Sequence, residues 1–145
     1  MGQCELYVFD DENRPKTSDS KQEYFLRRAA CIASRSSMNH RHGCVIVNKN
    51  GDIVAEGYNY VYTHMHHKFS IHAEVCCLSK MKRNKKWLSD CDMYVVRVGT
   101  ENMGNPLKYS RPCEGCTEAI IKAGIKRVYY STSDEFYCKI ERFRF

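Results

Sequence analysis

The spacing of apolar residues changes several times along the chain, and each change marks an element. Tyr24, Phe25, Ala29 and Ile32 recur at helical spacing. Ahead of them Ser20-Lys21-Gln22-Glu23 reads as a capping box, with Ser20 accepting from the Glu23 amide and Glu23 reaching back. This predicts a first helix that ends near Ser36-Ser37. Cys44-Val45-Ile46-Val47 and Ile53-Val54-Ala55 are short β-branched runs joined by Asn48-Lys49-Asn50-Gly51-Asp52. Asn and Gly tolerate positive φ, so the two runs predict a hairpin. After Gly57-Tyr58-Asn59 a loop is expected around His64, His66 and His67. Val75, Leu78 and Met81 then give a second helix from about His72.

Residues 93–98 read as a third strand, and 99–111 as a loop leading to Pro112. A third helix follows over 113–123, with Gly124 where a helix C-terminal glycine belongs. Residues 128–130 read as a fourth strand. Only residues 132–145 remain, and a parallel fifth strand would first need a crossover of about a dozen residues. The tail cannot hold both. Ser131-Thr132-Ser133-Asp134-Glu135 is turn chemistry, so 137–143 is expected to return as an antiparallel strand. The predicted order is α-β-β-α-β-α-β-β, a single sheet flanked by helices.

A chain of 145 residues with 43% apolar content fits one domain, 1–145, with residues 1–18 as a loose lead-in. No apolar run approaches the length of a membrane span, and the N-terminus lacks a secretory apolar region. Leu6 stands where a myristoylation signal has Ser or Thr. A soluble, cytoplasmic protein without a membrane partner is expected. Nine cysteines, an odd number without an export signal, favour reduced thiols with a subset free to bind metal. The net charge of +6 points to a polyanionic partner or a phosphorylated substrate. Its densest group, Lys80, Lys82, Arg83, Lys85 and Lys86, reads first as a solvated helix end.

The chemistry concentrates in His72-Ala73-Glu74 and Pro112-Cys113-Glu114-Gly115-Cys116, each placed where a helix should start. One imidazole and two thiolates suit zinc, and a Cys-x-x-Cys on one helical turn puts both sulfurs on the same side. Helix N-terminal amides lower the thiol pKa and accept the charge of the bound sulfurs. Three protein ligands leave a fourth position for water, whose pKa the metal lowers toward neutrality. A carboxylate two residues from the histidine can reach that water without ligating the metal, and can carry its proton. This set fits hydrolysis of an aminopyrimidine, which needs hydroxide at a ring carbon and a proton for the departing amine. A structural zinc site is the plain alternative; it needs a fourth ligand and has no use for Glu74.

His-x-Glu followed by Pro-Cys-x-x-Cys is the signature of zinc nucleobase deaminases. With it stand His42-Gly43-Cys44-Val45-Ile46-Val47, Glu56-Gly57-Tyr58-Asn59 and Ala123-Gly124-Ile125-Lys126-Arg127-Val128. On these residues the chain resembles the cytidine deaminase-like superfamily, particularly its deoxycytidylate deaminases, over roughly 24–131. The resemblance implies an α/β fold in three α-β-α layers, with a single mixed five-stranded sheet. The antiparallel hairpin of its last two strands comes from the tail's own residues, and differs from the parallel arrangement of deoxycytidylate deaminases. It implies zinc as cofactor, held by His72, Cys113 and Cys116, with Glu74 as the proton shuttle. It places Asn59 on the substrate sugar and the Ala73 amide on the base, and it implies a homo-oligomer. The expected reaction converts a cytosine-type base to uracil in a free nucleoside or nucleotide. The alternatives are editing of cytosine or adenine in single-stranded DNA or RNA, and a non-catalytic zinc-binding module.

Other residues keep two readings. Asn59 could be a turn residue. His64, His66 and His67 could bind an accessory metal, read phosphate or form a polar loop, and His40 and His42 share that ambiguity. Tyr58, Tyr60 and Tyr62 alternate as a base-stacking face or a half-buried strand end. Trp87 reads as a packing anchor, and Cys76 and Cys77 as small buried apolar residues.

Overall fold

The computed structural model describes residues 19–81, 88–99 and 107–143. The lead-in at 1–18, the basic residues at 82–86 and Trp87 lie outside the described residues. Helix α1 spans Ser20–Ala33, and strands β1 (Arg41–Val47) and β2 (Ile53–Tyr58) follow. Strands β3 (Tyr60–His64) and β4 (His67–Ile71) lead into α2 (Ala73–Ser79). Then come β5 (Asp92–Val98), β6 (Leu107–Lys108), α3 (Glu114–Ala123), β7 (Arg127–Ser131) and β8 (Cys138–Arg142).

The main sheet runs β2-β1-β5-β7-β8, with the short β6 paired to the end of β5. It is mixed: β5 and β7 are parallel, and the other pairs are antiparallel. Strand alternation sorts the core into two layers. Cys44, Ile46, Met93, Val95 and Val128 face Ala73, Cys77 and Ile120 of α2 and α3. Val45, Val47, Tyr94, Val96 and Tyr129 face Phe25, Leu26, Ala29 and Ile32 of α1. The three-layer α-β-α fold is therefore present, and β8 returns antiparallel to β7 as expected. Among the described residues no helix is long and apolar enough to cross a membrane.

Two glycines let the helices lie this close to the sheet. A Cβ on Gly43 would stand 2.0 Å from the Ala29 carbonyl oxygen and 2.6 Å from the Ala33 nitrogen of α1. A Cβ on Gly57 would meet the Cys77 nitrogen of α2 at 2.6 Å. These are backbone atoms, which cannot swing aside. Gly43→Ala is expected to cost about 3 kcal/mol, the upper end for overpacking. Gly51→Ala is the comparison: Gly51 has φ +87° but nothing within 4 Å of the added carbon. It should cost about 1–2 kcal/mol of backbone strain alone. Urea unfolding midpoints give both values, and an unchanged midpoint for Gly43→Ala would contradict the close approach.

Four expectations are corrected. The capping box sits one residue earlier: Asp19 Oδ1 accepts from the Gln22 amide at 2.7 Å, and Gln22 Oε1 accepts from the Asp19 amide at 3.1 Å. A carboxylate is the stronger partner for the helix N-terminus, and Glu23 instead pairs with Arg27 on the next turn. Helix α1 stops at Ala33, short of Ser36-Ser37, because the amides of Arg35 and Ser36 leave the helical pattern and bond three residues back, to the Ile32 and Ala33 carbonyls. The histidine-rich stretch is a second hairpin, β3–β4, forming its own two-stranded sheet. Its turn forms at Met65 and His66, both at positive φ. With β6 the main sheet counts six strands, against the single five-stranded sheet expected.

Candidate active site

The local folding of two loops brings the expected ligands together. His72 and Cys113 are the N-cap residues of α2 and α3, both in extended conformation, and neither side chain bonds back to its helix. Imidazole and thiol are thus left to face each other. His72 Nδ1 lies 3.1 Å from Cys116 Sγ and 3.6 Å from Cys113 Sγ. All three ligand atoms fall within 4.8 Å of one another. Tetrahedral ligation with Zn–S near 2.3 Å and Zn–N near 2.0 Å spaces nitrogen and sulfur by roughly 3.6 Å. The donor set therefore fits zinc in both chemistry and spacing, with His72 offering Nδ1. Among the described residues this is the only such group of three; His64, His66 and His67 sit at the tip of the β3–β4 hairpin instead.

Glu74 lies on the first turn of α2 and is 4% exposed. Burial pushes its carboxyl up, against the opposing pull of its own backbone amide, His72 and Cys116. Burial, then the Glu74 charge, pushes the Cys116 thiol up as well. The two groups are in hydrogen-bonding contact, so the acid stands beside the ligand sulfur without belonging to the ligand group.

These residues open into a cavity of about 570 Å³, within the range of small-molecule sites. Asn59, Ala73, His72, Glu74 and Cys113 line it, joined by His40, His42, Val61, Ser70, Ser110 and Arg111. Asn59 is buried and braces the wall: its Oδ1 accepts from the His42 amide at 2.8 Å, and its Nδ2 donates to the His40 carbonyl at 2.6 Å. Ala73 is fully buried as the first residue of α2. Val61 and Ser70 are a cross-strand pair of the second hairpin and line the cavity. Alternation puts Tyr60 and Tyr62 on the opposite face, and neither they nor Tyr58 line it.

Three contributors were not legible in the sequence. Ser110 Oγ bonds the Val95 carbonyl at 2.8 Å and meets Ser131 Oγ at 2.7 Å, tying the loop that carries Pro112 and Cys113 to β5 and β7. Arg111 lines the cavity two residues before Cys113, and its neighbour position to Pro112 was the available signal. Arg97 stands opposite His42 in the β1–β5 register and reaches His40 Nδ1 at 2.7 Å.

A three-layer α/β domain with a His-Cys-Cys group and a buried acid at one cavity defines a metal-dependent hydrolase type of site. Residues 19–132 match the family described as the cytidine and deoxycytidylate deaminase zinc-binding region, and the chain belongs to that family. The family's metal is zinc. Deoxycytidylate deaminase of Saccharomyces cerevisiae is 30% identical over 142 residues, covering 89% of this chain and 44% of that protein. A probable deoxycytidylate deaminase of Caenorhabditis elegans is 28% identical, covering 76% of this chain and 56% of that protein. The chain thus spans about half the length of these relatives. Among solved structures, the apo dCMP deaminase of cyanophage S-TIM5 shares the fold at TM-score 0.61 and 24% identity, covering 80% of this chain and 86% of that one. Cytidine deaminase from Burkholderia pseudomallei does so at TM-score 0.59 and 15% identity, covering 82% and 90%.

Proposed function

We propose that the chain is a hydrolytic deaminase that converts a cytosine-type base to uracil in a free nucleoside or nucleotide, consuming one water and releasing ammonia. The observation that carries this reading is Glu74: a 4% exposed carboxylate at the foot of the cavity, beside the ligand group but outside it. A site that only held the fold together would leave that burial uncompensated.

His72, Cys113 and Cys116 would hold the zinc, which when bound supplies the Lewis acidity that makes water nucleophilic at neutral pH. Glu74 takes one proton from the attacking water at a carboxylate oxygen and delivers it to the ring nitrogen, then takes the remaining hydroxyl proton of the adduct and delivers it to the departing amine. Its raised affinity for a proton suits a group that must both accept and return one. Ala73 presents its backbone to the base from the cavity wall. Asn59 has spent one donor on the His40 carbonyl and one lone pair on the His42 amide, and its second amide hydrogen remains for a sugar hydroxyl.

A substrate panel with zinc-loaded protein tests the reading, followed by ammonia release or mass change. It should contain cytosine, cytidine, deoxycytidine, their monophosphates, single-stranded DNA and RNA, and an adenosine-containing tRNA. Turnover of a mononucleoside or mononucleotide is expected, with a shallow dependence on salt. An editing enzyme would act on oligonucleotides alone, and its affinity would fall with a logarithmic slope of about −0.7 per phosphate neutralised on a single strand. That result, or no deamination of any cytosine compound, rejects the proposal.

A further inference from the structure

The two cysteines of the ligand group are held in place differently. Cys116 lies within α3 and is 3% exposed, so packing fixes its sulfur. Cys113 is exposed, stands at the N-cap and makes no side-chain bond to its helix. From the helix side its backbone is held by the Thr117 amide, which donates to the Cys113 carbonyl at 2.8 Å. From the other side it depends on residues 110–112. The ring of Pro112 locks its own φ, and the residue before a proline is confined to extended backbone. The link from Ser110 to Cys113 is therefore stiff. Whatever fixes Ser110 fixes the approach to Cys113.

Ser110 is fixed by Ser131, the last residue of β7. Ser110 is 4% exposed and Ser131 is fully buried. Ser110 N–H donates to the Ser131 carbonyl at 3.1 Å, and Ser131 N–H donates back to Ser110 Oγ at 2.9 Å. The hydroxyls add a chain of close contacts. Ser110 Oγ meets the Val95 carbonyl at 2.8 Å and Ser131 Oγ at 2.7 Å, and Ser131 Oγ meets the Lys108 carbonyl at 2.6 Å. Each hydroxyl has a single hydrogen to give, so the contacts compete for protons and removing either oxygen breaks the chain. The Arg97 amide also donates to Ser131 Oγ, at 3.2 Å. The pair thus joins β5, β6 and β7 at one point, where the parallel strands β5 and β7 end, shortly ahead of Cys113.

We infer that the Ser110–Ser131 hydroxyl pair is a positioning device for Cys113, holding its sulfur at the separation from His72 and Cys116 that the metal needs. This rests on the proposed ligation by Cys113, and the two serines act through that residue. A brace that served the fold alone would stabilise the metal-free and the zinc-loaded protein equally. A positioning pair stabilises the zinc-loaded form more, because ligand geometry is what it supplies.

The experiment measures the zinc dissociation constant by competition with a chromophoric chelator in the parent, Ser131→Ala, Ser110→Ala and the double variant. Removing a group that orients a metal ligand costs roughly 10- to 100-fold in affinity, the loss expected of each single variant. The double variant should lose no more than the worse single one, since one chain is broken once. Melting temperatures are read with zinc and after chelation. The rise that zinc produces should shrink by roughly 3–10 °C in the variants, the equivalent of that affinity loss for a domain of this size. In cobalt(II)-substituted protein the thiolate-to-cobalt absorption should weaken or shift in Ser131→Ala, although every ligand is still present. For deoxycytidine, kcat should fall in Ser131→Ala while KM changes little.

Equal melting-temperature losses with and without zinc, at unchanged zinc affinity and cobalt absorption, overturn the positioning role. Ser110 lines the cavity whereas Ser131 is not among the described residues that do. A raised KM in Ser110→Ala alone, with zinc affinity intact, therefore assigns Ser110 to the substrate and also overturns it. Should Ser110→Ala fail to fold, Ser131→Ala decides, because it keeps the bond from Ser110 N–H to the carbonyl of residue 131. Zinc lost in Cys113→Ala but held normally by both serine variants refutes only the role of the serines. A Cys113→Ala protein that keeps its zinc refutes the ligand assignment itself.

Discussion

Glu74→Gln is expected to lower turnover by about 10²- to 10⁴-fold, the usual contribution of a positioned general acid–base group. Zinc content and folding should survive. The amide keeps the shape of the side chain, so a 4% exposed position is not emptied. Burial disfavours the charged carboxyl at this position, so the neutral amide should not weaken the fold. It can donate or accept a hydrogen bond, but it cannot carry a proton from water to base. Glu74→Ala should lose at least as much turnover and in addition leave a small void beside Cys116. Steady-state rates, metal analysis and a thermal melt on the same preparations check the whole expectation. Full activity in Glu74→Gln would remove the proton shuttle from the proposal. Loss of zinc would instead make Glu74 part of what holds the metal.

What could be read from the sequence was whatever local chemistry enforces. The Asn48–Asp52 turn is an example: Asn48 Oδ1 accepts from the amides of Asn50 and Asp52 at 3.0 and 2.9 Å, and Gly51 takes φ +87°. Gly124 ends α3 at φ 95° for the same kind of reason. The return of β8 after β7 was marked by the turn chemistry of Ser131-Thr132-Ser133-Asp134-Glu135. The β3–β4 hairpin shows where such reasoning stops. Its strands are exposed on both faces apart from the half-buried Ile71, so no inside–outside alternation marks them. Its turn uses Met65 and His66 at positive φ, with neither Gly nor Asn to announce it.

The candidate site divides along the same line. His72, Glu74, Cys113 and Cys116 are legible because their chemistry needs fixed spacing on two helix starts. Arg97 is not, because it stands next to last in an otherwise apolar strand and looks like that strand's solvent end. Only the β1–β5 register sets it opposite His42, and only the fold of residues 36–42 brings His40 within 2.7 Å of it. Asn59 lies between the two cases. Its position after Gly57-Tyr58 was visible, but its use as a brace for the His40–His42 backbone depends on Ser36 Oγ and the start of β1 meeting it in space.

Removing one sulfur should cost the metal, and the two cysteines should then differ in what else is lost. Cys113 is exposed, whereas Cys116 is 3% exposed and belongs to the buried core. Cys113→Ala should bring zinc from about one per chain to near none, while removing little packing. Its melting temperature should therefore match that of chelator-treated parent. A metal present at about 1,000 times its dissociation constant stabilises by about 4 kcal/mol. At roughly 2–4 °C per kcal/mol for a domain of this size, the drop should be on the order of 10 °C. Cys116→Ala should fall below the chelated parent, because a buried sulfur is lost together with the metal. Added zinc should raise the melting temperature of chelated parent and move neither variant much. Turnover should disappear in both. A Cys113→Ala protein that keeps a full complement of zinc, or a parent whose melting temperature ignores the chelator, would show that the ion is held elsewhere.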